Sequence, residues 1–113
     1  MENCIFCKIA GGLIPSNFVY EDEKMIIIKD INPQAKLHYL AIPKEHFCDI
    51  TELSEKSPET LTHIFSVISQ NKDKLGFSNG MRVITNVGED GCQSVKHVHI
   101  HLLGGEKLSE RMG

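Results

Sequence analysis

The segment from His97 to Leu102 alternates histidine with branched apolar residues, a period of two that is typical of a β-strand. Successive side chains of a strand point to opposite faces. His97, His99 and His101 would therefore lie on one face and the apolar residues on the other. Imidazole exchanges protons, attacks electrophiles and binds metals near neutral pH. A strand face made of three histidines thus predicts a chemical site, in preference to surface histidines on an edge strand.

The rest of the chain predicts an α+β fold on an antiparallel sheet. Apolar positions between Pro58 and Leu75 recur at helical spacing, with Ser57 as the N-cap and Gly76 as a stop, and predict one long helix. Runs of β-branched residues bounded by turn residues predict strands at 19–21, 25–30, 38–42 and 82–85, besides the histidine strand. Strands and helices do not alternate. We therefore expect one domain over residues 1–113, with a five-stranded antiparallel sheet, one long helix and short helices.

Composition limits the partners that the chain can have. The 12 basic and 15 acidic residues give a formal net charge of −3, so we expect no general attraction to nucleic acid or to an anionic membrane. The first residues resemble neither a signal peptide nor a membrane span, and we expect a cytoplasmic protein. In that reducing compartment the four cysteines are expected to be metal ligands or small core residues, and not disulfides.

Strand geometry argues against three histidines on one metal ion. Residues two apart on a strand are separated by about 7 Å, so His97 and His101 would lie about 13 Å apart, whereas a metal-bound nitrogen lies about 2 Å from its ion. Cys4 and Cys7 have the two-residue spacing of zinc-binding thiolates, and His46 and His97 could supply two further ligands. An unliganded thiol pair and a redox pair are alternatives, although a redox motif belongs on a βα turn that this chain lacks.

The loop before the histidine strand is suited to a phosphate group. Gly88 and Gly91 allow backbone amides to turn inward as an anion-binding nest, and Ser94 adds a hydroxyl donor. Taken alone, these residues are also typical of an ordinary hairpin loop. The histidines that follow them favour the phosphate site.

Together these residues form a longer motif that strongly resembles the signature of the histidine triad (HIT) family. The motif runs from Gly91 to Gly105 as GCQSVKHVHIHLLGG, and the third position of the triad is His101. The complete triad and the glycine pair resemble the nucleotide-binding, phosphoramidase-type branch, in particular its zinc-containing bacterial members. The match extends through IFCKI at 5–9, KDINPQA at 29–35 and HYLAIPKEH at 38–46, and so covers nearly the whole chain.

The resemblance implies a hydrolase of purine nucleoside 5'-monophosphoramidates, in which AMP or GMP is bonded to an amine. His99 would attack the α-phosphorus and form a covalent nucleotidyl-histidine that water then hydrolyses. His101 and His38 would assist proton transfer to the leaving group, and Asp30 would accept hydrogen bonds from the ribose. The phosphate would lie against the loop residues Asn86, Cys92, Gln93 and Ser94. The base would lie between Phe6, Ile9, Ile28, Ile31 and Leu40.

The resemblance also implies one structural zinc ion per chain, bound by Cys4, Cys7, His46 and His97, and a homodimer whose two sheets join into one of ten strands. Two alternative functions stay open: a dinucleoside polyphosphate hydrolase, and a nucleotide-binding regulatory or interaction protein whose catalysis is incidental. The chain departs from the family pattern at Cys92, where many relatives have glycine. It also lacks the tryptophan-containing C-terminal tail of relatives in this branch.

Overall fold

The computed structural model describes residues 3–112, in which five strands form one antiparallel sheet. The strands are β1 (Phe18–Glu21), β2 (Met25–Lys29), β3 (Leu37–Pro43), β4 (Met81–Ile84) and β5 (Ile100–Gly104). Their order across the sheet is β1, β2, β3, β5, β4, so β5 lies between β3 and β4 while β1 and β4 form the two edges. The predicted α+β architecture with a five-stranded antiparallel sheet is confirmed.

Within the same residues, three helices accompany the sheet: α1 (Ile5–Ala10), α2 (Ile50–Lys56) and α3 (Pro58–Asn71). α3 is the predicted long helix, and it begins directly after Ser57 with proline in its first turn. It ends at Asn71, a few residues before the predicted stop at Gly76. α2 is capped by the Asp49 side chain, which accepts a hydrogen bond from the Glu52 backbone N–H. No helix in the described part of the chain is long and apolar enough to cross a membrane.

The two faces of the sheet carry different apolar clusters. α2 and α3 pack on one face and bury Leu53, Ile64 and Ile68 against strand residues that include Ile27 and Ile100. α1 packs on part of the opposite face, where a second cluster contains Phe6, Ile9, Ile26, Ile28, Leu40 and Ile42. Side chains alternate along β3 and β5, so their histidines share the face that carries α1.

The histidine strand is shorter than predicted. The β5 ladder begins at Ile100, and His97 and His99 lie in the segment just before it. The alternation of faces nevertheless continues through that segment, because Val98 is buried in the same cluster as Ile100. The Val98 N–H donates to the Phe47 carbonyl at 2.8 Å and not to a neighbouring strand. His97 thus lies outside the strand ladder, and its side chain contacts Cys4 and Cys7 at α1.

Candidate active site

One ring nitrogen of His99 forms a hydrogen bond with the backbone, and the other has no hydrogen-bond partner in the described residues. Its Nδ1 lies 2.8 Å from the His97 carbonyl oxygen, which can only accept a hydrogen bond, so Nδ1 carries the ring proton. Nε2 therefore keeps its lone pair. Thr85 Oγ1 donates to the His99 carbonyl at 3.0 Å, and the Phe6 ring packs edge-on against the imidazole with centroids 5.0 Å apart. These contacts fix the orientation of the ring and direct Nδ1 toward the backbone, the arrangement that a nucleophilic Nε2 would require.

A chain of hydrogen bonds orients the other two histidines of the site. The Gln34 backbone N–H donates to His38 Nδ1 at 3.0 Å, so His38 carries its proton on Nε2. That Nε2–H lies 2.9 Å from His101 Nδ1 and donates to it. His101 must then carry its own proton on Nε2, the position from which it can donate to a bound molecule. Asp30 Oδ2 lies 3.3 Å from His38 Nε2, and Asp30 Oδ1 caps the following turn by accepting from Asn32 N–H.

The donor atoms of Asp30, His38 and His101 all lie within 4.8 Å of one another, which is close enough for a shared metal ion. The hydrogen bonding argues against that use. A neutral histidine that binds a metal through Nε2 carries its proton on Nδ1, but His38 Nδ1 faces the Gln34 N–H donor. The tautomer that Gln34 imposes therefore suits a proton relay and not a metal site.

Both histidines of this relay are neutral at pH 7. Burial, followed by the proximity of His99 and His38, lowers the pKa of His101 to about 4. Burial also lowers the pKa of His38, and the nearby Asp30 carboxylate partly opposes this. The neutral forms are the ones that the hydrogen-bond chain requires.

The loop from Asn86 to Ser94 is closed by Gln93. Gln93 Oε1 accepts from Gly88 N–H at 3.0 Å, while Nε2 donates to the carbonyls of Cys48 at 2.6 Å and Val95 at 2.9 Å. Its backbone N–H donates to the Gly88 carbonyl. In the structure the Gln93 side chain thus fixes the shape of the loop. The expectation that Gln93 holds phosphate oxygens stays a prediction.

Cys92 occupies a backbone conformation that favours glycine. Its φ of 58° lies in the left-handed region, which residues other than glycine seldom adopt. Its N–H donates to the Glu89 carbonyl and its thiol is exposed, so Cys92 shapes the turn and presents its side chain to solvent. The remaining predicted phosphate contacts are Ser94, exposed on the same loop, and Asn86, which lines a cavity together with His101.

Four of the five residues predicted around the base lie in the apolar cluster on the histidine face. Phe6, Ile9, Ile28 and Leu40 are buried there. Ile31 is fully exposed on the loop after β2 and lies outside this cluster. The Phe6 ring contacts His99, so the apolar cluster adjoins the nucleophile.

Cys4, Cys7, His46 and His97 form a second group, which we name the thiol–imidazole cluster. Their donor atoms lie within 4.8 Å of one another. Cys4 Sγ lies 3.3 Å and Cys7 Sγ 3.4 Å from His97 Nδ1, and Cys7 Sγ lies 3.3 Å from His46 Nδ1. Tetrahedral zinc would place sulfur and nitrogen ligands about 3.6 Å apart. The cluster fits a four-coordinate ion of this kind.

The surroundings of the cluster support the same interpretation. His97 Nε2–H donates to the Pro43 carbonyl at 2.8 Å, which leaves Nδ1 as the ligand atom. Burial lowers the pKa of His97 to about 4, so the ring is neutral, as a ligand must be. Burial and the adjacent Cys4 raise the pKa of the Cys7 thiol to about 11 when no cation is bound. A divalent cation would make the thiolate the stable form.

Three positioning contacts were not found from the sequence. They are the Gln34 N–H on His38, the Thr85 hydroxyl on the His99 carbonyl, and the Pro43 carbonyl on His97. In each of the three contacts one partner is a backbone atom, and backbone atoms leave no pattern of residue types. Only the proximity of Gln34 to His38 along the chain could have pointed to the first.

Comparisons with known proteins agree with this geometry. The family described as "Scavenger mRNA decapping enzyme C-term binding" matches residues 3–113. Protein HitA of Neisseria gonorrhoeae is 41% identical over 104 residues, which cover 92% of this chain and 97% of that protein. The 14 kDa zinc-binding protein of Zea mays is 43% identical over 107 residues, which cover 93% of this chain and 84% of that protein.

Solved structures show the same relationship. A histidine triad protein from Clostridium difficile superposes with a TM-score of 0.93 at 43% identity, covering 99% of this chain and 98% of that one. A HIT family hydrolase from Legionella pneumophila superposes with a TM-score of 0.92 at 39% identity, covering 98% and 100%. Sequence and fold thus agree with these proteins over nearly the full length, and the chain belongs to the histidine triad family.

Proposed function

We propose that this protein is a nucleotide-binding hydrolase that cleaves purine nucleoside 5'-monophosphoramidates through a covalent nucleotidyl-histidine. The observation that carries the proposal is the state of His99, whose Nδ1 proton is held by a backbone carbonyl while Nε2 is free. A histidine triad neighbour described as a HIT family hydrolase supports the reaction class. The amine leaving group and the purine base are our inference.

In the first step, His99 Nε2 attacks the α-phosphorus and the P–N bond breaks. The leaving nitrogen takes the proton from His101 Nε2. The hydrogen bond from His38 to His101 Nδ1 would assist this transfer, because it keeps the His101 proton on Nε2 and fixes the orientation of the ring. Asn86, the Ser94 hydroxyl and free loop amides would bind the phosphate oxygens.

In the second step, water attacks the phosphorus and the bond from His99 Nε2 breaks. The water returns a proton to His101, so the enzyme is restored and AMP or GMP is released. Asp30 would bind the ribose hydroxyls through lone pairs that the Asn32 and His38 contacts leave available. The apolar cluster around Phe6 and Leu40 would accept the flat face of the base.

We also propose that the thiol–imidazole cluster binds one zinc ion per chain. Its donor set and spacing support this, as does the relative described as a zinc-binding protein. The ion would be structural, because four protein ligands leave no position for substrate. It would join α1 to the segment before β5.

A homodimer is a further part of the proposal. β4 is an edge strand, and Val83 on it is 42% exposed. Phe65 on α3 is 43% exposed. An exposed edge strand with apolar side chains is suited to pairing with a second copy, which would extend the sheet to ten strands.

Replacement of the nucleophile tests the proposed chemistry. We expect His99→Asn to lower AMP-lysine hydrolysis by about a thousandfold or more, because no nitrogen remains to form the covalent intermediate. His63→Asn is the matched control, since His63 lies on α3 and outside the site. Acid quenching with radiolabelled substrate should trap a nucleotidyl adduct on the wild type and on the control. Wild-type turnover by the His99 variant would overturn the proposal.

A further inference from the structure

A cavity of about 520 Å³ adjoins His101 on the side of β4. We infer that this cavity binds the leaving group, and that it favours leaving groups that carry an anion. The inference rests on the proposed function, because it assigns a substrate class to the same site. The anion could be the carboxylate of an amino acid or a phosphate of a second nucleotide, and both have the same recognition chemistry.

The sheet register places the cavity next to the reacting atoms. His101 of β5 pairs with Ile84 of β4, and Leu103 pairs with Arg82. Cross-strand partners share a face, and residues two apart along a strand do so as well. All four side chains therefore lie on the histidine face, with Arg82 about 7 Å farther along the strand than His101. Ile84 and Leu103 form an apolar floor between the catalytic end and Arg82.

The far end of the cavity is cationic. Arg82 and Lys107 both line it, and neither forms an ion pair with a carboxylate elsewhere in residues 3–112. Arg82 Nη2 donates to the Ser109 carbonyl, which holds the guanidinium in place and leaves other N–H groups available. Glu106 also lines the cavity and its Oε2 accepts from the Lys36 backbone N–H at 2.7 Å, so the two cations and this carboxylate leave one net positive charge on the lining. The guanidinium is thus a half-buried, oriented donor without an acidic partner.

This placement suits the reaction. When the P–N bond breaks, the amine that receives the proton from His101 Nε2 lies at the mouth of the cavity. A carboxylate one or two bonds from that nitrogen would extend over Leu103 toward Arg82. Guanidinium binds carboxylate or phosphate through two parallel hydrogen bonds, so it both attracts and orients such a group.

The test compares two substrates that differ only in charge: AMP joined through nitrogen to alanine with a free carboxylate, and its neutral methyl ester. For the wild type we expect kcat/KM to be about tenfold higher for the acid. In Arg82→Met this preference should fall toward one, and Arg82→Lys should restore part of it. Lys74→Met is the control for net charge, because Lys74 is exposed and does not line the cavity. It should keep the wild-type preference.

Diadenosine tetraphosphate forms a third arm, since its leaving group carries phosphates in place of a carboxylate. A selective loss of its kcat/KM in Arg82→Met, without a change in the acid-to-ester ratio, would support the cationic subsite with phosphate as the anion. The inference would be overturned if the wild type had equal kcat/KM for the acid and the ester, and if Arg82→Met left the kcat/KM for diadenosine tetraphosphate unchanged. The proposed hydrolase would still stand. No turnover of any substrate would overturn the hydrolase and this inference with it.

Discussion

Asp22, in the turn after β1, binds the β1–β2 hairpin to helix α3 and should make stability depend on pH. Its Oδ1 accepts from the backbone N–H groups of Lys24 and Met25 at 2.7 and 3.0 Å. Its Oδ2 accepts from Tyr20 OH at 2.8 Å and lies 2.6 Å from His63 Nε2 on α3. Burial raises the pKa of this carboxyl, but the hydrogen bonds outweigh burial and lower the pKa from 3.8 to about 2.

The change in pKa sets the size of the effect. A decrease from 3.8 to about 2 corresponds to about 2 kcal/mol of stability. Because the folded-state pKa is depressed, this contribution is fully present well above pH 3.8 and is lost as the pH falls through about 2. At pH 3 about half of it should remain.

Urea unfolding of Asp22→Asn measures this contribution. We expect the variant to be about 1–2 kcal/mol less stable than the wild type at pH 7, since asparagine can keep the two backbone contacts but loses the charge. The difference should be about half as large at pH 3. Glu23→Gln, an exposed neighbour, removes a charge from the same turn and should have little effect. A variant as stable as the wild type at pH 7, or a difference independent of pH, would refute the reasoning.

Three further changes test the metal cluster, the loop and the core. Elemental analysis should find one equivalent of zinc per chain in the wild type and in Cys48→Ser, at an exposed thiol, and none in Cys7→Ser. Gly91→Ala should lower kcat/KM for AMP-lysine by about tenfold or more. Its Cβ would lie 2.6 Å from the Val87 carbonyl oxygen and force the loop open. Ile100→Ala should cost about 2–5 kcal/mol in urea unfolding, because Ile100 is fully buried in the core. A loss below 1 kcal/mol would mean that neighbouring core side chains fill the space that the Ile100 side chain leaves, so that no cavity remains.

Periodicity predicted the parts of the fold that depend on which face a side chain takes. The alternation from His97 to Leu102 correctly separated Val98, Ile100 and Leu102 from the imidazoles. It could not show that hydrogen bonding to neighbouring strands begins only at Ile100, because a residue can alternate faces without a ladder partner. The Val98 contact with Phe47, which takes the place of that partner, joins segments 51 residues apart in the chain.

Residue types predicted which groups come together, but not how their hydrogen atoms are arranged. Cys4 and Cys7 with two histidines pointed to a metal cluster, and the structure brings the four together. Gln93 shows the limit of such reasoning. An amide in a glycine-rich loop suits a phosphate, yet its donors bind Cys48 and Val95 carbonyls. Which acceptor a side chain finds depends on the tertiary structure, and the sequence does not specify it locally.

The thiol–imidazole cluster and the nucleophile are physically linked through one residue. The His97 ring faces Cys4 and Cys7 and donates to Pro43, so its side chain is fixed from two directions. The His97 carbonyl accepts a hydrogen bond from His99 Nδ1–H. The direction of this carbonyl depends on the backbone conformation at His97, which the contacts of the His97 side chain hold in place. The contacts that hold His97 therefore also influence which nitrogen of His99 is free and where it points. The cluster would thus act on the proposed nucleophile through the His97 backbone.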